Sequence, residues 1–208
     1  MKKTATQPDQ SASLPDLTGQ AQGCEQLQVL QSQNPAGEGK CHFEGEHTLF
    51  MSLAPRPIHY LQAQDGKTHT GLCRRGDISI VPANSPLFAR WEGDENCLQI
   101  WLTTGFIQSV ARETLAQDCD RIALQPEFQA RNPQIESIGT MLFTEFQQNA
   151  PKNRLYIDSL ANILAVTLLR QHATTHPHLP ISEGGLPQRQ LRQVLDYVDA
   201  HMDMCEAD

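Results

Sequence analysis

Between Thr48 and Leu102 the chain divides into short runs rich in β-branched, aromatic and aliphatic residues: Thr48–Leu53, Ile58–Ala63, Lys67–Leu72, Asp77–Val81, Leu87–Trp91 and Cys97–Leu102. Turn signals separate them at the roughly 8–12-residue spacing of an antiparallel sandwich or barrel. Asp65-Gly66, between the second run and the third, predicts a tight hairpin because both residues tolerate positive φ. Ile78 and Ile80 alternate with Asp77 and Ser79, and Leu98, Ile100 and Leu102 alternate with Cys97, Gln99 and Trp101. Alternation of this kind gives each strand one apolar face for a core and a second, more polar face.

After Gly105 the apolar period lengthens to that of a helix, with Ile107, Val110, Ala111, Thr114 and Leu115 on one face. Asn132-Pro133 opens a second helix whose stripe is Ile135, Ile138, Leu142 and Phe146. A third, Leu155 to Gln171, is apolar over much of its circumference, with Leu160, Ile163, Leu164 and Leu168 on one side and Ala161, Ala165, Val166 and Leu169 extending it. Such a helix needs cover on more than one side. It is either buried within its own domain or packed on the barrel and a partner subunit together, and we expect Leu160, Ile163, Leu164 and Leu168 to form a homodimer seam. Residues 1–40, rich in Gln, Ser, Pro and Gly, are expected to be mostly mobile, and within them Leu27-Gln28-Val29-Leu30 reads equally as a strand or a helical turn. His172 to Gly185 has the composition of a linker, and Pro187 opens a last amphipathic helix carrying Leu191, Val194, Leu195, Val198 and Met202.

Composition narrows the function. The chain has 208 residues, 39% hydrophobic and 19% charged, enough for a core that folds without staples. A net charge of −8 repels a phosphate backbone. The most apolar stretch, Leu160 to Leu169, is too short to span a bilayer, and Thr4 to Ser13 offers no apolar run for an export signal, so a cytoplasmic protein is expected. Six scattered cysteines without a C-x-x-C pair argue against a zinc ribbon.

Gly76-Asp77-Ile78-Ser79-Ile80-Val81-Pro82-Ala83-Asn84-Ser85-Pro86 resembles the turn motif of cupin barrels, with Asn84 in place of a glycine, a substitution that left-handed backbone tolerates. Arg154–Ala161, running on into Leu168-Leu169-Arg170, and Gly184–Val198 resemble the sensor regions of the AraC family of bacterial transcription regulators. The resemblance spans roughly Thr48 to Met202 and implies an α+β chain, a cupin-like antiparallel β-barrel followed by an α-helical dimerisation segment. The expected parts are a barrel over residues 41–104, a helical dimerisation part over 105–173, and over 174–208 a linker and the first helix leading to a DNA-binding domain. The two helix-turn-helix motifs of the family would lie beyond residue 208, so this chain is expected to be the effector-sensing and dimerisation half of such a regulator, reaching DNA only through a C-terminal domain absent here.

An enzyme is not expected. Cupin enzymes commonly hold a metal with histidines, but the motif's second His position is Leu87, which cannot ligate. His176-Pro177-His178 with Glu183 matches a metal-binding spacing by coincidence, in the linker, while His47, His59 and His69 are scattered through the strands. No G-x-S-x-G elbow or glycine-rich phosphate loop is present. Expected cofactors are none, with one alternative: Cys41, Cys73, Cys97 and Cys119 converging as a redox switch or an iron–sulfur site, with Arg74-Arg75 lowering the pKa of Cys73. A cupin-type metalloenzyme is a second alternative. For a small-molecule effector the candidates are Tyr60, Trp91 and Trp101 for stacking and His59, His69 and Arg74 for polar anchoring, and the tryptophans serve equally well as core.

Overall fold

The computed structural model describes residues 22–114, 122–148 and 153–173, all within the first of two compact units, residues 1–177. The second unit, residues 178–208, and with it the helix expected from Pro187, lies outside the described residues, as do Leu115, Cys119 and His176. The described strands are β1 (Gln22–Gly23), β2 (Leu27–Asn34), β3 (Gly37–His42), β4 (Glu46–Ser52), β5 (Ile58–Gln64), β6 (Lys67–Cys73), β7 (Asp77–Val81), β8 (Pro86–Trp91), β9 (Glu95–Thr103) and β10 (Glu127–Arg131). The helices are α1 (Thr104–Thr114), α2 (Pro133–Gln147) and α3 (Arg154–His172).

One antiparallel sheet has the order β1-β2-β9-β4-β7-β10 and the other β3-β8-β5-β6. From β2 to β9 the chain changes sheet at every connection except the β5–β6 hairpin. That path is the eight-strand, double Greek-key jelly roll. Its hairpin turns at Asp65 (φ 49) and Gly66 (φ 74), the pair that the sequence nominates. Asn84, at φ 62, adopts the left-handed conformation expected of it, and its side chain accepts a hydrogen bond from the Gly45 amide at 3.1 Å.

The barrel begins earlier than residue 41, which corrects the expected boundary. β2 pairs along its whole length with β9, and β3 with β8. The glutamines of this segment mask its alternation: Gln28 and Gln33 take exposed positions while Leu27, Val29, Leu30, Ser32 and Asn34 are buried. β10, which has no strong apolar alternation, joins β7 across a bulge with Gln129 at φ 48.

Both faces of the six-stranded sheet are covered. Leu49, Met51, Ile78, Ile80, Leu98 and Ile100 point away from the other sheet towards the helices and are fully buried. α2 lies so close here that a Cβ on Gly139 would sit 3.1 Å from Met51 Cε and 3.6 Å from Ile100 Cδ1. α2 starts at Asn132, whose side chain accepts from the amides of Gln134 and Ile135, followed by Pro133 in the first turn. Its expected stripe, Ile135, Ile138, Leu142 and Phe146, is buried throughout. α3 packs on α1 and α2. Leu160, Leu164 and Leu168 therefore turn inward within the subunit, which removes them from the expected dimer seam, and of the four only Ile163 stays exposed, at 48%. No described helix is long and apolar enough to cross a membrane.

Candidate ligand site in the barrel interior

The polar positions of the alternating strands do not face solvent. In β7 all five residues are buried, and in β9 Cys97, Gln99 and Trp101 are buried beside the apolar face. Strand parity and the cross-sheet hydrogen bonds place these residues in the space between the two sheets. Ser79 Oγ donates to Gln62 Oε1 across that space at 2.9 Å, and Gln99 Nε2 donates to Ser32 Oγ at 3.1 Å. The interior is thus built largely from amides, hydroxyls and aromatic rings.

At one end it opens into a cavity of about 20 Å³, the room of a single water, lined by Phe50, Ser52, Ile58, Tyr60, Gln62, Cys73, Asp77, Ser79, Glu95, Asn96 and Cys97. Glu95 is held by two neutral donors, Tyr60 Oη at 2.5 Å and Asn34 Nδ2 at 2.8 Å. Burial, reinforced by the Glu95 carboxylate, raises the Tyr60 phenol well above its ordinary pKa. Asp77 accepts the Arg74 amide at 2.6 Å and pairs with Arg131 Nε at 2.7 Å, and Arg131 reaches Glu136 of α2 at 3.4 Å. Gly76, at φ +80, packs beneath that ion pair with no room for a Cβ. One chain of charges therefore runs from the cavity wall to a helix.

At the other end, four buried side chains carry polar atoms with no hydrogen-bond partner: Thr48 Oγ1, Gln64 Nε2, Gln99 Oε1 and Trp101 Nε1. All four are at least nine-tenths buried. Phe43 packs against Trp101 and Phe50 with ring centroids 6.4 and 6.1 Å apart.

Four sequence candidates for ligand contact stand on inward-facing positions. Tyr60 lines the cavity, stacked at 6.0 Å on Trp91, which is plugged into the core with its indole N–H on the Pro35 carbonyl at 2.6 Å; Trp101 has its indole nitrogen unpaired. His69 is closed off by β10, stacked on Phe128 and 3.2 Å from Gln129 Oε1. His59 and Arg74 are corrections: strand parity turns His59 to the exposed face, and Arg74 is exposed in the β6–β7 turn. Gln62, Gln64, Asn34 and Glu95 were not nominated from sequence, although Gln62 and Gln64 stand two and four residues after Tyr60 and so share its face.

The cysteines do not converge as a four-thiol site. Cys73 and Cys97 share the cavity, while Cys41 lies at the other end of the interior, paired across strands with Leu87. Burial dominates their chemistry: it pushes the Cys73 thiol up to about 11, Cys41 to about 12 and Cys97 well above its ordinary value. The expected activation of Cys73 by Arg74-Arg75 is corrected, since both arginines are exposed and Arg131, the cation that does act on the thiol, is outweighed by desolvation. Iodoacetamide at neutral pH is expected to label Cys73 about two orders of magnitude more slowly than a free cysteine, from the smaller thiolate fraction. Labelling at the free-thiol rate, followed by peptide mass spectrometry, would show that the pocket activates it.

His47 lies on the opposite face of β4, accepting the Ala83 amide at Nδ1 (3.1 Å), and burial holds its pKa down at about 4. Between pH 6.5 and 4 the unfolded chain takes up a proton that the folded chain refuses, so stability falls with falling pH by up to about 3 kcal/mol. Urea midpoints measured across that window should drop in the wild type and flatten in His47→Gln.

No family model matches the chain, and no curated protein matches it in sequence. Solved structures are similar to it in part. A putative mannose-6-phosphate isomerase from Ralstonia eutropha is 15% identical over 50% of this chain and 100% of its own, with a TM-score of 0.37. The cupin domain of Schizosaccharomyces pombe Cnp3 is 13% identical over 44% of this chain and 67% of its own, at 0.36, and a cupin superfamily protein from Desulfitobacterium hafniense is 19% identical over 41% and 74%, at 0.34. These likenesses are partial; the strand order by itself carries the fold, an eight-strand antiparallel barrel of two Greek keys followed by helices.

A cupin metal site does not fit these residues. Leu87, at the motif's His position, is a buried alkyl group; His47, His59 and His69 lie apart; and no three metal-binding side chains cluster among the described residues.

Proposed function

We propose that the chain is a binding and switching module, the effector-sensing and dimerisation part of a regulator of the AraC type, whose barrel takes up a small organic molecule without transforming it. The observation that carries this reading is the double position of Asp77. It lines the interior cavity and also holds Arg131, which contacts Glu136 on α2. A guest that changes the packing at Asp77 thereby changes the seating of the helices, which is what a switch requires. The side chains at the cavity support binding over catalysis, because its thiols and its phenol are held in their neutral forms.

In this reading a second copy of the chain docks on the outer side of α3, where Tyr156 and Ile163 are exposed seven residues apart, with Leu155 beside them. The −8 charge offers DNA no electrostatic support from this part. The test is native mass spectrometry on anaerobically purified protein, followed by hydrogen exchange with and without any compound that raises the melting temperature. A dimer, with ligand-dependent protection at Arg131 and along α2, is the expected result. A monomer at about 100 μM, well above the μM-to-pM dissociation constants of standard-size interfaces, whose α2 exchange is indifferent to a stabilising compound would overturn it.

A further inference from the structure

We infer that the compound accepted by the barrel is uncharged and carries adjacent hydrogen-bond donor and acceptor groups, as a primary carboxamide does. This rests on the reading of the barrel as a binding module and names the ligand class of that site. Thr48, Gln64, Gln99 and Trp101 leave one acceptor, two N–H donors and one hydroxyl unpaired inside the protein. Buried polar groups are nearly always paired, and each left alone costs free energy. Four on the lumen-facing positions of β4 and β9, neighbours in one sheet, and of β5 in the facing sheet form a complementary template, since a carboxamide offers N–H to the Gln99 oxygen and its carbonyl to the Trp101 indole or the Gln64 amide.

The sign of charge follows from the lining. None of the four groups is charged, and in the cavity at the opposite end of the interior no lysine or arginine is present while the two carboxylates, Asp77 and Glu95, already have partners. An anion entering here would lose its hydration and meet no cation. A cation would find both carboxylates already engaged and would leave the Gln64 and Trp101 N–H groups, which are donors, facing a donor.

The experiment compares propionamide, propionate and n-butylammonium, three probes of equal heavy-atom count, by thermal melting of the full chain and of Gln64→Leu. Propionamide at ten times its Kd should raise the wild-type midpoint by about 3–5 °C, with no rise from the ions. Gln64→Leu should melt at or above the unliganded wild type, because it removes an unsatisfied buried amide, and should lose at least half of the propionamide shift. A purely structural Gln64 would give the reverse, a lower midpoint with the shift intact, and would overturn the assignment. Stabilisation by propionate or butylammonium equal to that by propionamide leaves the barrel a binding module but overturns the uncharged class. No shift with any probe assigns the four groups to buried water and overturns the inference.

Discussion

Leu164→Asp is expected to cost more than about 4 kcal/mol and to leave the chain largely unfolded at 37 °C. Leu164 is 0% exposed on the side of α3 that meets α1 and α2. The substitution both empties a packed site and drives a carboxylate into it, and a typical domain has only about 5–15 kcal/mol to lose. Ile163→Asp, one residue away, should change stability by about 0.5 kcal/mol or less, since its side chain is half exposed. In the dimer of the proposed module, the same change should weaken association at least tenfold by placing like charges across a two-fold seam. Sedimentation and urea melts of the two variants separate the roles. A folded Leu164→Asp chain that has merely become monomeric would restore the seam that the sequence suggested and sink the inward packing of α3.

Arg131→Met has the second-largest expected effect. It strips Asp77, 7% exposed, of its ion partner while leaving the carboxylate buried. Breaking a fully buried pair costs about 3–5 kcal/mol, and with Arg131 half in solvent a loss of about 1–3 kcal/mol is expected. Asp77→Asn added to Arg131→Met should recover at least half of that, because the uncompensated charge is gone. Both variants should lose ligand-dependent protection along α2, since Glu136 no longer has a link to the cavity wall. If protection survives in Arg131→Met, the helices sense the barrel by another route.

The strands from Thr48 to Leu102 and the three helices were legible because alternation and helical periodicity record burial on one face. The same signal misleads where both faces are buried. Asp77, Ser79 and Gln99 read as the more polar faces of their strands, and the structure buries them in the interior, with Ser79 and Gln99 hydrogen-bonded there. β2 and β3 were obscured by composition, because their glutamines, glycines and lysine take outward or edge positions. Histidine and arginine drew notice as chemistry-bearing types, yet His59 and Arg74 face out. The interior polar set lies instead in glutamines that carry no motif. Leu160, Leu164 and Leu168 could not be assigned to core or seam from periodicity, since a stripe looks the same whichever neighbour covers it.

The pairing of β2 with β9 joins Leu27 to Leu102 and Asn34 to Glu95, so the barrel is closed by its first long strand and its last. During synthesis the edge of β2 opposite its two-residue pairing with β1 has no partner until β9 has left the ribosome. At about 5–20 residues per second, the nascent chain waits several seconds with an unpaired strand edge. Contacts this distant in sequence also slow the search itself, towards the millisecond-to-second refolding of sandwich proteins. A chain begun at residue 41 would never complete that step. It would display the β9 edge, Leu98 and Ile100 included, as a template for the next molecule, and its expected fate is aggregation.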